Sequence, residues 1–309
     1  MLDISTPANA TTAAILLQRG GRAGRALCWD AAGQCWRWSD PLAGQLYAWP
    51  AAAAAASTAT ATATATACTV RLSEGACTLA ACRSGRWLLG QGKRLGLIEL
   101  PPAGSVTRPL QAQVLLTVDA AEPRTAISDG CTDRAGNFVF GTANTASDQR
   151  PIGSFYQYSQ RHGLRRLALP AVVRAAGIAF SADGARMVFA DGRHILHCTY
   201  DAGGARVGKV ATLAEADLDV GAIVIDSANC LWSLQGSELV HYDAGGAVLR
   251  RIVLAGDAPA SLAFGDDCLD RLLLLGQGGG LYGLPDGSLG AATDGVAETL
   301  FDDTAPVAG

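Results

Sequence analysis

"VRAAGIAFSADGARMVFADGR", residues 173–193, is the stretch from which the fold is read. A short apolar run, GIAF, meets the turn SADG, and a second apolar run, MVFAD, follows at once. Asp-Gly between apolar runs is a strong hairpin signal, because both residues tolerate the backbone that a tight turn needs. The same grammar recurs in LCWDAAGQCWRW from 27, LAACRSGRWLLG from 79, GCTDRAGNFVFG from 130, IVIDSANCLWSL from 223 and LAFGDDCLDRLLLL from 262. The copies lie roughly 40 to 50 residues apart, the period of a propeller blade. A further strand and turn follow most copies, as in GQLYAW, HILHCTYDAGG and ELVHYDAGG, so each unit holds about four short antiparallel strands. Helical periodicity is nearly absent, and 37 glycines punctuate the chain.

The expectation is an all-β, six-bladed β-propeller forming a single domain over residues 1–309, because radial closure leaves no long exposed sheet edge. A two-domain β protein fits the even spacing poorly. The Ala/Thr tract at 51–67 reads as an expanded surface turn rather than a functional segment.

At 309 residues and 49% apolar, the chain can bury a sizeable core. A net charge of -4 without any run of Lys or Arg gives no electrostatic footprint for nucleic acid or an anionic membrane, so neither is expected as a partner. Nine cysteines show no paired metal spacing and read as reduced, buried thiols. The first residues lack a basic start followed by a long apolar run, which makes a cytoplasmic location the expectation. Oligomeric state is not legible.

The units resemble the regucalcin and gluconolactonase family, also called the senescence-marker-protein or luciferin-regenerating-enzyme-like family. The carrying stretches are LCWDAAGQCWRWSD, SDGCTDRAGNFVFGT and GIAFSADG, with PIGSFYQYSQRHGLRRL and CLWSLQGSELVHYDAGG in the corresponding order. The resemblance implies a six-bladed propeller with one divalent ion, such as Ca, Zn or Mn, in the central channel, and hydrolysis of sugar lactones. It also implies that a Glu, an Asn and an Asp hold the ion. Those three places carry Arg25, Ala176 and Gly221 here. The family's substrate-facing Arg and Asn are replaced by Ala126 and Ser128; Asp129 and Gly130 remain, and Asn144 is the counterpart of an acidic residue after Phe-Gly-Thr.

Ala and Gly supply no side-chain oxygen and a guanidinium repels a cation, so no metal or other cofactor is expected. The leading expectation is a small-molecule site in the central channel, binding an anion or running metal-independent chemistry, with Arg25 as the fixed positive charge and Ser128, Asp129 and Asn144 beside it. Three alternatives stay open. A lactone hydrolase could rebuild its metal site with Asp217, Asp219 or Asp129; Arg25 and Asp129 could neutralise each other; or one rim could serve as a protein-interaction scaffold. Other chemistries leave weaker traces. His162, His194, His197 and His241 fall in outer strands or turns, and Ser128, Ser261 and Thr142 have no base beside them. GQGGGLYG at 276–283 fails the nucleotide-loop spacing and reads as a hairpin turn. Trp36, Trp38 and Trp87 read as blade-packing residues.

Overall fold

In the computed structural model the described residues are 14–17, 21–51, 68–101, 108–254, 258–284, 289 and 293–304, and their 25 named elements are all strands. They form six antiparallel sheets, one per sequence unit. An N-terminal strand β1 (Ala14–Leu17) is followed by blade one, β2 (Arg25–Asp30), β3 (Cys35–Asp40), β4 (Gln45–Pro50) and β5 (Cys68–Arg71). Blade two is β6 (Thr78–Ala81), β7 (Trp87–Gln91), β8 (Arg94–Ile98) and β9 (Gln113–Thr117). Blade three is β10 (Thr125–Thr132), β11 (Phe138–Asn144), β12 (Phe155–Ser159) and β13 (Gly163–Arg166). In blade four β14 (Ala176–Phe180), β15 (Arg186–Asp191), β16 (His194–Asp201) and β17 (Arg206–Val207) lie in order, with β18 (Ala211–Glu215) also on β16. Blade five is β19 (Val220–Ile225), β20 (Leu231–Gln235), β21 (Glu238–Tyr242) and β22 (Val248–Val253); blade six is β23 (Pro259–Gly265), β24 (Arg271–Gly276) and β25 (Leu281–Gly283).

Blade six takes its outermost strand from the other end of the chain, since β1 pairs antiparallel with β25. Chain ends that share a blade close the ring and remove a free edge. Each expected hairpin is present, and the local reason is visible at its turn. Asp30 accepts the N–H of Gly33, Asp133 those of Ala135 and Asn137, and Asp226 those of Ala228 and Cys230. A short carboxylate side chain thus completes the turn's own backbone.

The apolar residues do not form one core. They divide into six clusters, one at each contact between neighbouring blades: Trp29, Trp36, Trp38 and Trp49 with Leu273 and Leu275 join blades one and six, and Val139 and Phe155 with Phe180 and Phe189 join blades three and four. Trp36, Trp38 and Trp87 are buried packing residues, as expected. Apart from Ala51, the 51–67 tract lies outside the described residues. All nine cysteines are free; Cys68 and Cys268 are exposed, a departure from uniform burial. Among the described residues no helix is long and apolar enough to cross a membrane.

Candidate functional site

The innermost strands β2, β6, β10, β14, β19 and β23 surround a central channel. Its cavity, about 180 Å³, is lined by three or four consecutive residues from each: 26–28, 78–81, 129–132, 177–180, 222–225 and 261–264. The residues directly before these runs, at the end of the channel where the inner strands begin, are Arg25, Cys77, Ser128, Ala176, Gly221 and Ala260, one cation and five small residues. Five of the six inner strands also carry a register shift here, between Arg25 and Cys28, Ile127 and Asp129, Ala176 and Ala179, Val220 and Ala222, and Pro259 and Ser261. Bulges re-aim side chains and open a ladder where a site is needed. Gly177 takes φ +60° at its bulge without penalty, whereas Ala26 is forced to φ +53°, a left-handed conformation that costs a residue with a Cβ roughly 1–2 kcal/mol.

Arg25 is half-buried at the start of β2, opposite Ser39. Burial draws its pKa below the ordinary guanidinium value, the nearby Arg174 adds to that, and Asp129 and Cys77 act the other way. A guanidinium stays charged through such a shift. Among the described residues neither Arg25 nor Arg174 has a carboxylate within 4.0 Å, so no Arg25–Asp129 pair neutralises the mouth. Arg174 is exposed and bridges by its backbone to Ala143 of β11.

The other candidates divide between lining and scaffold. Asp129 faces the cavity, and its carboxylate accepts the N–H of Gly130 at 2.8 Å and of Ile178 at 3.2 Å. Burial pushes its pKa up against those bonds and the charge of Arg174. Ser128 donates to the Ala175 carbonyl at 2.7 Å, Thr78 to Gly130, and Ser261 accepts the N–H of Leu27. These side chains tie blade three to four, two to three and six to one. Asn144 does not belong to the lining: its amide donates to Asp148 and the Arg150 carbonyl and accepts the Ala146 N–H, which builds a loop outside the channel. Thr142 is likewise engaged, with Asp119 and Ser154.

The alternative carboxylates are placed elsewhere. Asp217 pairs with Arg251 at 2.8 Å, and Asp219 sits in a surface hollow with Arg193 and Gly236. Among the described residues the one group of three metal-ligating side chains within mutual reach is Asp226, Cys230 and His241. It lies at the far end of β19, where Trp232 Nε1 donates to Asp226 and stacks on His241. The four histidines occupy third strands or a turn, as read from sequence. Exposed large apolar side chains are spread over several blades; Val248, Leu249 and Val253 share the outer strand β22.

The end of the channel opposite the mouth is closed by a segment that the repeats did not reveal, residues 293–304. It bridges Asp226 through Gly295, receives the Arg134 guanidinium on the Ala297 carbonyl, and bridges Cys82 through Phe301. Phe301 is fully buried against Tyr158. Asp303 then accepts from the backbone of Ser84 and pairs with Arg86 at 2.8 Å. Val296, Glu298 and Thr299 form the cavity floor. Glu298 lines the cavity and keeps an exposed side chain there, while desolvation by the surrounding protein raises its carboxyl to about 7, Arg134 opposing and Asp30 assisting. Cys28 and Cys131 also face it. The apolar residues Val296 and Phe301 between acidic neighbours were the only sign of this strap in the sequence.

Comparison with known proteins gives a consistent family picture. Residues 23–276 match the model described as SMP-30/Gluconolactonase/LRE-like region. A stretch of 183 residues is 32% identical to L-arabinolactonase of Azospirillum brasilense, covering 57% of this chain and 58% of that protein's length. Among solved structures, a luciferin-regenerating enzyme superposes with TM-score 0.81 at 16% identity, over 94% of this chain and 98% of that one. A calcium-binding protein, regucalcin, from Agrobacterium tumefaciens gives 0.76 at 18%, over 94% and 99%. A gluconolactonase from Xanthomonas campestris gives 0.70 at 18%, over 88% and 89%.

Proposed function

Because the chain belongs to the SMP-30/gluconolactonase/LRE-like family, we propose that it is a lactonase-like propeller whose channel mouth binds a small-molecule anion in place of the divalent ion that the resemblance implies. The carrying observation is Arg25: half-buried at the start of its inner strand, without a carboxylate partner among the described residues, and near a second cation, Arg174. Two guanidinium groups at one mouth suit a carboxylate, which each can engage through paired N–H donors.

The side chains at the mouth do not fit a divalent cation. Oxygen ligands at short range are what such ions require, and the three family positions supply a guanidinium, a methyl and a hydrogen. Asp129 lines the cavity, and its two oxygens already serve backbone N–H groups. No reaction step through a metal is drawn from this arrangement.

The test is calorimetric titration of acetate and D-gluconate into the wild-type protein, Arg25→Gln and Arg25→Glu. Saturable binding that weakens in Gln and is lost in Glu is expected; equal affinity in all three would refute the proposal. A second reading, sugar-lactone hydrolysis through a site rebuilt from other residues, is favoured by the identity to L-arabinolactonase. Metal-stimulated acid release from L-arabinono-1,4-lactone would establish it.

A further inference from the structure

We propose that Asp226, Cys230 and His241 form a zinc site on blade five, with three protein ligands and the fourth position left to water. The site is separate from the channel, and its case does not depend on the anion reading.

Asp226 follows β19, Cys230 stands directly before β20, and His241 lies in β21. Trp232 of β20 is the register partner of His241, and their rings stack with centroids 3.9 Å apart and planes at 11°, which fixes the imidazole. A carboxylate oxygen, the thiol sulfur and an imidazole nitrogen of the three residues all lie within 4.8 Å of one another.

A count of lone pairs shows what is missing. A carboxylate offers about four acceptor sites. Asp226 Oδ1 uses two, for the N–H groups of Ala228 at 3.0 Å and Cys230 at 2.9 Å, and Oδ2 uses one, for Trp232 Nε1 at 3.1 Å. His241 Nε2 stands 3.6 Å from Oδ2, too far for a hydrogen bond, and it is buried without one. In blades one and three protein donors complete the corresponding turn carboxylates: Arg37 reaches Asp30 at 2.6 Å, and Asn137 and Tyr200 reach Asp133 at 2.8 and 2.7 Å. Blade five keeps a gap instead. In a tetrahedral zinc shell, O, N and S ligands stand about 3.4–3.6 Å from one another, a separation that Asp226 and His241 already have.

The donor set selects the metal. Thiolate and imidazole suit zinc, whereas calcium and magnesium take oxygen ligands. Among the described residues no Lys or Arg lies within 4.0 Å of Asp226 or Asp243, so no protein cation fills the place. Burial and the charges of Asp226 and Asp243 push the Cys230 thiol up from its ordinary value, so it keeps its proton until a cation arrives. Binding then forms the Zn–S bond and releases that proton to solvent. Cys230 is partly exposed, which gives the ion a way in. Asp226 also bridges Gly295, so the ion ties β21 to the turn on which the strap is anchored.

The test uses the full chain, stripped with EDTA and dialysed under reducing conditions, then titrated with Co(II) and, in competition with a chromophoric chelator, with zinc. One equivalent of cobalt is expected to bind with a thiolate-to-cobalt band in the near ultraviolet and the intense visible bands of a tetrahedral ion. Cys230→Ser should abolish the thiolate band, and His241→Gln should weaken zinc at least about 100-fold, since even supporting residues around a metal are worth 10–100-fold. Cys268→Ser, which removes an exposed thiol elsewhere, should change neither. Asp226 is left intact because its Oδ1 holds the turn. Absence of a thiolate band in the wild-type protein, or wild-type affinity in either Cys230→Ser or His241→Gln, overturns the site. The wild-type titration decides the matter even if a variant does not fold.

Discussion

The two ends of the channel are built on opposite plans. At the mouth a cation stands without a carboxylate partner among the described residues, on inner strands that bulge and, at Ala26, adopt a backbone conformation that an alanine disfavours. At the floor a crossing segment is pinned by backbone bridges, a buried Phe301 and the Arg83–Asp302 and Arg86–Asp303 pairs, with Glu298 facing the cavity. Groups that serve stability find partners within the chain. Groups left unpaired and strained at one end of a cavity mark where something from outside is received.

Charge reversal at the mouth should give the largest effect. Arg25→Glu is expected to weaken carboxylate binding by about 100-fold, equivalent to about 2.7 kcal/mol, with the unfolding midpoint almost unchanged. Calorimetry and a thermal melt of the same sample check both halves; a large loss of stability would place Arg25 with the scaffold and break the contrast. At the floor the signs reverse. Asp303→Ala strands Arg86 and unpins the strap, which should cost about 2 kcal/mol in urea unfolding, with the affinity for acetate retained.

Glu298 sharpens the comparison through pH. Its carboxyl titrates at about 7 in the folded chain against an ordinary 4.5, so between these values the folded state holds the extra proton. Stability therefore falls as pH rises from 4.5 to about 7, and the penalty is complete above that window. Glu298→Gln removes it: the variant should match the wild type near pH 4 and exceed it at pH 8 in melting temperature. A difference independent of pH would mean that the carboxyl is freely hydrated. Smaller effects belong to the rim's scaffold. Ser128→Ala should lose about 1 kcal/mol through its bond to Ala175, and Ala26→Gly should gain about 0.5 kcal/mol by relieving the left-handed φ.

The propeller was legible because its signal is local and repeated: an Asp-containing turn between apolar runs says the same thing in GCTDRAGNFVFG as in IVIDSANCLWSL. Arg25, Ala176 and Gly221 were legible as positions, and each stands directly before the stretch of its inner strand that lines the cavity. What sequence reading missed depends on closure of the ring. Arg174 stands two residues before Ala176, but its approach to Arg25 arises only when blade four comes round to blade one. Asn144 stands shortly after Phe-Gly-Thr, where the resemblance implies an acidic residue, yet its own loop, Asp148 above all, claims its amide. The strap at 293–304 has no repeat, and its anchors at Arg86, Arg134 and Asp226 are scattered along the chain.

The central claim is the proposal that the mouth accommodates an anion where the family resemblance implies a metal. Acid release from L-arabinono-1,4-lactone and D-glucono-1,5-lactone, followed with EDTA and separately with added Ca, Mn or Zn, tests it most directly. Turnover at the uncatalysed rate under every metal condition is the predicted result. Hydrolysis that rises with metal and disappears with EDTA would contradict the account.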